Sequence, residues 1–126
     1  MAELAGFHHV KLPVSDIECS REWYERVLGL TVDIEFVEDG TVQGLALVDA
    51  GTVSVALRVD PLRAAAMSGF DAMTLAVPDR AGVARWQKRL DELGEPHAGI
   101  RTGHRGGSVL VGLHDPDGLE IRLYAD

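Results

Sequence analysis

The feature that most constrains this chain is that its sequence is written twice. Phe7 to Asp16, Phe-His-His-Val-Lys-Leu-Pro-Val-Ser-Asp, returns in outline at Ala72 to Asp79, Ala-Met-Thr-Leu-Ala-Val-Pro-Asp. His9, Val10, Leu12, Val14 and Asp16 align with Ala72, Met73, Leu75, Val77 and Asp79, and Trp23 and Trp86 keep the 63-residue offset of the two aspartates. A repeat that survives an alternating run and the helical pattern after it calls for two modules of one topology. It fails at one chemically important place, where His9 has Ala72 as its counterpart.

Alternation puts Val10, Leu12 and Val14 of a Phe7 to Val14 strand on one side and Phe7, His9, Lys11 and Pro13 on the other. Asp16 suits an N-cap, Ser20, Trp23, Tyr24, Val27 and Leu28 form a helical stripe, and Gly29 suits the C-cap. Strand-like runs follow at Leu30 to Val37, Val42 to Val48 and Thr52 to Val59, divided by Glu38-Asp39-Gly40 and Asp49-Ala50-Gly51. The last run turns Val53, Val55 and Leu57 one way and Ser54, Ala56 and Arg58 the other. Asp60 to Gly69 reads as a linker with a short helical turn. In the second copy Asp79 caps a helix carrying Val83, Trp86, Leu90 and Leu93, which Gly94 ends. Then come His97 to Thr102, a flexible glycine-rich hairpin at Gly103 to Gly107, a strand at Ser108 to Leu113, an Asp115-Pro116-Asp117-Gly118 turn and a strand at Leu119 to Tyr124. In that final strand Leu119, Ile121 and Leu123 are the apolar side, and Glu120, Arg122 and Tyr124 the other.

The expected class is therefore α+β: a single domain, 1–126, with one βαβββ module at 5–59, a linker at 60–69 and a second module at 70–126. Each sheet, covered by a helix on one face, leaves the other open, and two open faces are expected to combine around a small-ligand cavity. The net charge of -8 argues against a nucleic-acid or anionic-membrane binder. One cysteine, Cys19, rules out an intrachain disulfide and fits a reducing, cytoplasmic setting. No run nears the ~18 apolar residues of a membrane span, and Met1 to Gly6 does not read as a signal peptide. Cys19 is expected to be a buried spectator, and Trp23, Tyr24 and Trp86 to be core residues.

Three motifs, His9-Val10-Lys11-Leu12-Pro13-Val14-Ser15-Asp16, Trp23-Tyr24-Glu25-Arg26-Val27-Leu28-Gly29-Leu30 and Asp115-Pro116-Asp117-Gly118-Leu119-Glu120-Ile121-Arg122-Leu123, occur in this order. With the repeat, they resemble the vicinal oxygen chelate superfamily: glyoxalase I, bleomycin-resistance and fosfomycin-resistance proteins, and extradiol dioxygenases. The resemblance implies paired βαβββ modules in an open curved barrel, often completed in a homodimer. It also implies four metal-ligand positions, which fall here on His9, on Ala56 (or Ser54 if the register slips by two), on Ala72 and on Arg122. One imidazole, two alkyl groups and a guanidinium do not make a divalent-ion site, so no cofactor is expected. A rearranged site using His8, His104 or Glu120 is the alternative.

The ligand-contacting residues expected from alternation and resemblance together are His9, Lys11, Ser54, Arg58, Ala72, Thr74, Glu120, Arg122 and Tyr124. His9 reads as a base, a hydrogen-bonding group for ligand, or a relic, and His8 as structural. Arg122 either pairs idly with Glu120 or offers a planar fork of donors to an oxyanion. The leading expectation is metal-free binding of a small organic, anionic or antibiotic-like molecule. A metal-independent enzyme, with His9 moving a proton and Arg122 or Tyr124 stabilising an oxyanion, is the second. A divalent-metal lyase or dioxygenase with a non-standard ligand set is the third.

Overall fold

Asp16 and Asp79 do the same work in the two halves. In the computed structural model, which describes residues 1–126, each carboxylate accepts the backbone N–H three residues on, at Cys19 and Gly82, and so starts a helix. Gly29 and Gly94 end those helices with φ of 72° and 69°, a left-handed conformation that glycine adopts without strain. The helices are α1, Ile17–Leu28, and α3, Arg80–Leu93. A short α2, Pro61–Met67, lies in the expected linker.

The chain forms two compact units, Met1–Arg63 and Ala64–Asp126. In the first, β1 (Val10–Val14), β2 (Thr31–Glu38), β3 (Thr41–Val48) and β4 (Ser54–Val59) make a sheet of order β1-β4-β3-β2, with β1 and β4 parallel. In the second, β5 (Met73–Ala76), β6 (Ile100–Thr102), β7 (Ser108–His114) and β8 (Glu120–Ala125) repeat the plan as β5-β8-β7-β6, again with the outer pair parallel. The α+β class and the strand-helix-three-strand order are those expected from the sequence.

Each unit buries the helix side of its sheet. In the first, α1 packs on β3 and β4, and Leu12, Val14, Leu45, Leu47, Val55 and Leu57 are nearly free of solvent. In the second, α3 packs on β6, β7 and β8 over Leu110, Leu113, Ile121 and Leu123. Full burial of a side chain of this size stabilises by ~1.5–3 kcal/mol, so these rows fix which face of each strand is inside.

Three local expectations need correction. The first strand starts at Val10, because its pairing with β4 starts at Val10 opposite Val55, so Phe7, His8 and His9 precede the strand and are exposed. Cys19 is exposed, since α1 turns Ser20, Trp23, Tyr24, Val27 and Leu28 inward instead. Trp23 is core, set edge-on to Tyr24, but Trp86 is only half-buried and carries the Arg89 guanidinium 5.7 Å above its ring. The glycine-rich hairpin forms where expected and is shaped around a side chain. It closes β6 onto β7 through a 3-10 turn at His104–Gly106, and a Cβ at Gly103 would lie 2.5 Å from the Tyr124 ring.

Candidate functional site

The site is built on the open face of the second sheet. The register aligns Arg101, Val109, Tyr124 and Ala76 across β6, β7, β8 and β5, and aligns Arg122 with Thr74 beside them. All of these but Ala76, together with Asp71, Thr102, Gly103, His104 and Val111, line a broad cavity of about 770 Å³. Its floor is apolar at Val109, Val111 and the Tyr124 ring, and its charge is concentrated at Arg122, Arg101 and Asp71.

Arg122 is oriented by backbone features distant in sequence. β7 carries one extra residue between Leu110 and Leu113, where Gly112 takes φ 76°. That bulge lets the Gly112 N–H donate to Glu120 Oε2 at 3.1 Å, and Arg122 Nε donates to the same oxygen at 2.7 Å. A side chain at Gly112 would lie 2.6 Å from Ala98 Cβ, so the bulge depends on glycine. The Glu120 side chain is only 12% exposed, and the Arg122 guanidinium holds its carboxyl below the ordinary glutamate value, helped by the Gly112 N–H and opposed by burial. Arg122 is raised in turn, chiefly by Glu120 and further by Asp71.

Asp71 reaches Arg122 because the Asp-Pro-Asp-Gly turn ties two segments together. Asp115 accepts the N–H groups of Asp117 and Leu119, Gly69 N–H donates to the Gly118 carbonyl, and Glu120 N–H donates to the Phe70 carbonyl at 2.9 Å. These bonds hold 69–71 against the start of β8, leaving Asp71 Oδ2 3.4 Å from Arg122 Nη1. Tyr124 lies between Gly103 and Gly107, and its hydroxyl donates to the His104 carbonyl. Its single proton is already engaged, which corrects the expectation that Tyr124 could donate to an oxyanion.

The structure brings Thr74, Glu120, Arg122 and Tyr124 together in one unit and adds Asp71 and Arg101. Ala72 is partly buried just before β5 and is not among the cavity-lining residues. The remaining expected residues lie in the first unit. Lys11 pairs in register with Ala56 on its open face, and Arg58 is bound to Glu38 at 3.0 Å. Ser54 opens β4, half-buried. His9 is exposed, with its Nδ1 2.8 Å from that of His8. Arg101 was missed because three-residue β6 is too short for alternation to declare itself; its pairing with Val109, opposite Tyr124, sets its face.

This topology has solved counterparts. Lactoylglutathione lyase from Agrobacterium tumefaciens superposes with a TM-score of 0.78 at 17% identity, over 98% of this chain and 95% of that one. The genomically encoded fosfomycin resistance protein FosX from Listeria monocytogenes gives 0.73 at 14% identity, over 98% and 95%. At such identities the likeness shows the fold alone. A family model described as Glyoxalase/Bleomycin resistance protein/Dioxygenase superfamily matches residues 6–123. The chain belongs to this superfamily. A relative from Bacillus subtilis (strain 168), named "Putative ring-cleaving dioxygenase MhqA", is 27% identical over 130 residues. The match takes in 96% of this chain but 40% of that relative.

Superfamily resemblance implies a divalent metal, and the side chains at its four positions do not fit one. His9 is the one donor among His9, Ala56, Ala72 and Arg122, and a guanidinium has no acceptor and repels a cation. No three His, Cys, Asp or Glu side chains converge as a metal-holding group elsewhere. Glu120, the carboxylate nearest the fourth position, is committed to Arg122 and Gly112.

Proposed function

We propose that this superfamily member binds a small organic molecule in the open-face cavity of its second module without a metal, acting as a cytoplasmic homodimer. The observation that carries this reading is Arg122. At the position where the resemblance implies a metal ligand, the chain has a guanidinium, oriented by Glu120 and facing a cavity with an apolar floor. Sequestering a ligand needs shape, apolar area and a few fixed polar groups. The superfamily description includes bleomycin resistance, and a fosfomycin resistance protein is among the structural neighbours, so an antibiotic-like ligand falls within this reading. The homodimer rests on superfamily habit, and the compartment on the single cysteine. The proton-transfer alternative has less support: His9 is exposed beside His8, and the Tyr124 proton goes to a backbone carbonyl.

Titration with Mn²⁺, Fe²⁺, Ni²⁺ and Zn²⁺, followed by calorimetry and thermal shift, tests the metal-free part. The expected result is no stoichiometric uptake, and tight binding of one ion per chain would overturn it. Benzamide, followed by amide NMR, tests the cavity as a ligand site through shifts at Thr74, Arg101, Arg122 and Tyr124. Light scattering at the mass of one chain would remove the dimer.

A further inference from the structure

The two carboxylates on Arg122 are not equivalent. Glu120 is shielded, receives Arg122 Nε at 2.7 Å and is also held by a backbone N–H. Asp71 is 44% exposed and sits 3.4 Å from Nη1 as an ion pair without hydrogen-bond alignment. An exposed pair of this kind contributes little and exchanges readily, whereas a shielded carboxylate with two donors does not. One edge of the guanidinium is therefore permanently occupied, and the edge facing the cavity is covered by a displaceable carboxylate.

We propose that the cavity takes an organic monocarboxylate whose carboxylate replaces Asp71 on Arg122 while Glu120 stays in place; this rests on the ligand-binding reading above. A guanidinium offers five donors in a fixed fork, so after Nε is committed to Glu120 the Nη groups still match a planar carboxylate. Charge selects the monoanion. Arg101 and Arg122 balance Glu120 and Asp71, and withdrawal of Asp71 to solvent uncovers one positive charge. A phosphate dianion would leave an uncompensated negative charge in a chain of net charge -8. The ligand's apolar body lies on Val109, Val111 and the Tyr124 ring. Asp71 is then a specificity-determining residue: it covers the Nη1 side of Arg122 that Glu120 leaves free, so only a better-placed oxyanion takes its position.

The test uses benzoate, its neutral isostere benzamide and phenyl phosphate, with binding read by calorimetry and by cavity amide shifts. Asp71→Asn, at an exposed position where misfolding is not expected, should tighten benzoate about three- to fivefold and leave benzamide unchanged. Glu38→Gln, which removes one negative charge in the first module, should leave both unchanged. Unchanged or weaker benzoate binding to Asp71→Asn, an equal gain in Glu38→Gln, or tighter binding of phenyl phosphate than of benzoate would overturn the proposal. Equal affinity of wild type for benzoate and benzamide, with shifts in the cavity, removes the carboxylate and leaves the ligand-binding reading standing. No shift at Thr74, Arg101, Arg122 or Tyr124 with any of the three removes both.

Discussion

The two modules present different open faces on one topology. In the first, the rows running from β2 to β1 are Ile34, Ala46, Ala56, Lys11 and Phe36, Gly44, Arg58, Pro13. Ile34 and Phe36 remain 46% and 45% exposed, and Arg58 is paired with Glu38. In the second, the corresponding face carries Arg122 between Glu120 and Asp71, with Arg101 and Tyr124 alongside. The helix sides repeat because each sheet must bury an apolar row under its helix. Nothing in folding requires the open sides to match, and the proposed ligand site rests on the charge that only the second one gathers.

Substitutions at paired positions can break or sharpen this contrast. The largest effect is expected from the tryptophans: Trp23→Ala, at 5% exposure against Tyr24, should cost ~3–5 kcal/mol in urea unfolding. Trp86→Ala should cost clearly less, and equal losses would mean that the modules lean on their helices alike. Next is Gly107→Ala, whose Cβ would collide with the Tyr124 hydroxyl and approach the Ala125 carbonyl at 2.8 Å. It should cost ~1–3 kcal/mol and shift the His104 amide, whereas Gly51→Ala in the first module, whose Cβ would lie at an ordinary contact distance of 3.4 Å from the Asp49 carboxylate, should be nearly neutral.

Glu120→Gln should cost ~1–2 kcal/mol near neutral pH, because Arg122 keeps its place but loses its charged acceptor. The sign of the pH effect follows from the carboxyl being held below its ordinary value near 4.5. Its contribution is complete above that value and is lost as pH falls from it through the lowered folded value. Wild type should therefore lose more stability than Glu120→Gln on acidification below about pH 4.5, and parallel curves would show that Glu120 is not the linked group. The smallest change is expected for Arg58→Ala, within ~1 kcal/mol for an exposed pair, with cavity amides of the second module unmoved.

What the sequence determined by itself was local or periodic. Asp16 and Asp79 cap helices through bonds only three residues long, Gly29 and Gly94 end them, and alternation sorted Glu120, Arg122 and Tyr124 from Ile121 and Leu123. The same periodicity placed Lys11 and Arg58 on an open face, while leaving undecided whether those charges meet a ligand or a neighbour. Motif order and the internal repeat identified the superfamily.

The tertiary structure decided which charges meet. Asp71 and Arg122 are far apart in sequence, and they approach because β5 pairs with β8 in parallel and the Asp115 to Gly118 turn holds the intervening chain. Arg101 joins them through a ladder too short to show a period, and Tyr124 gives its proton to a carbonyl twenty residues away. Alternation can say which way a side chain points. Only long-range pairing supplies the carboxylate beside it, and that partner determines whether Arg122 is idle or available to a ligand.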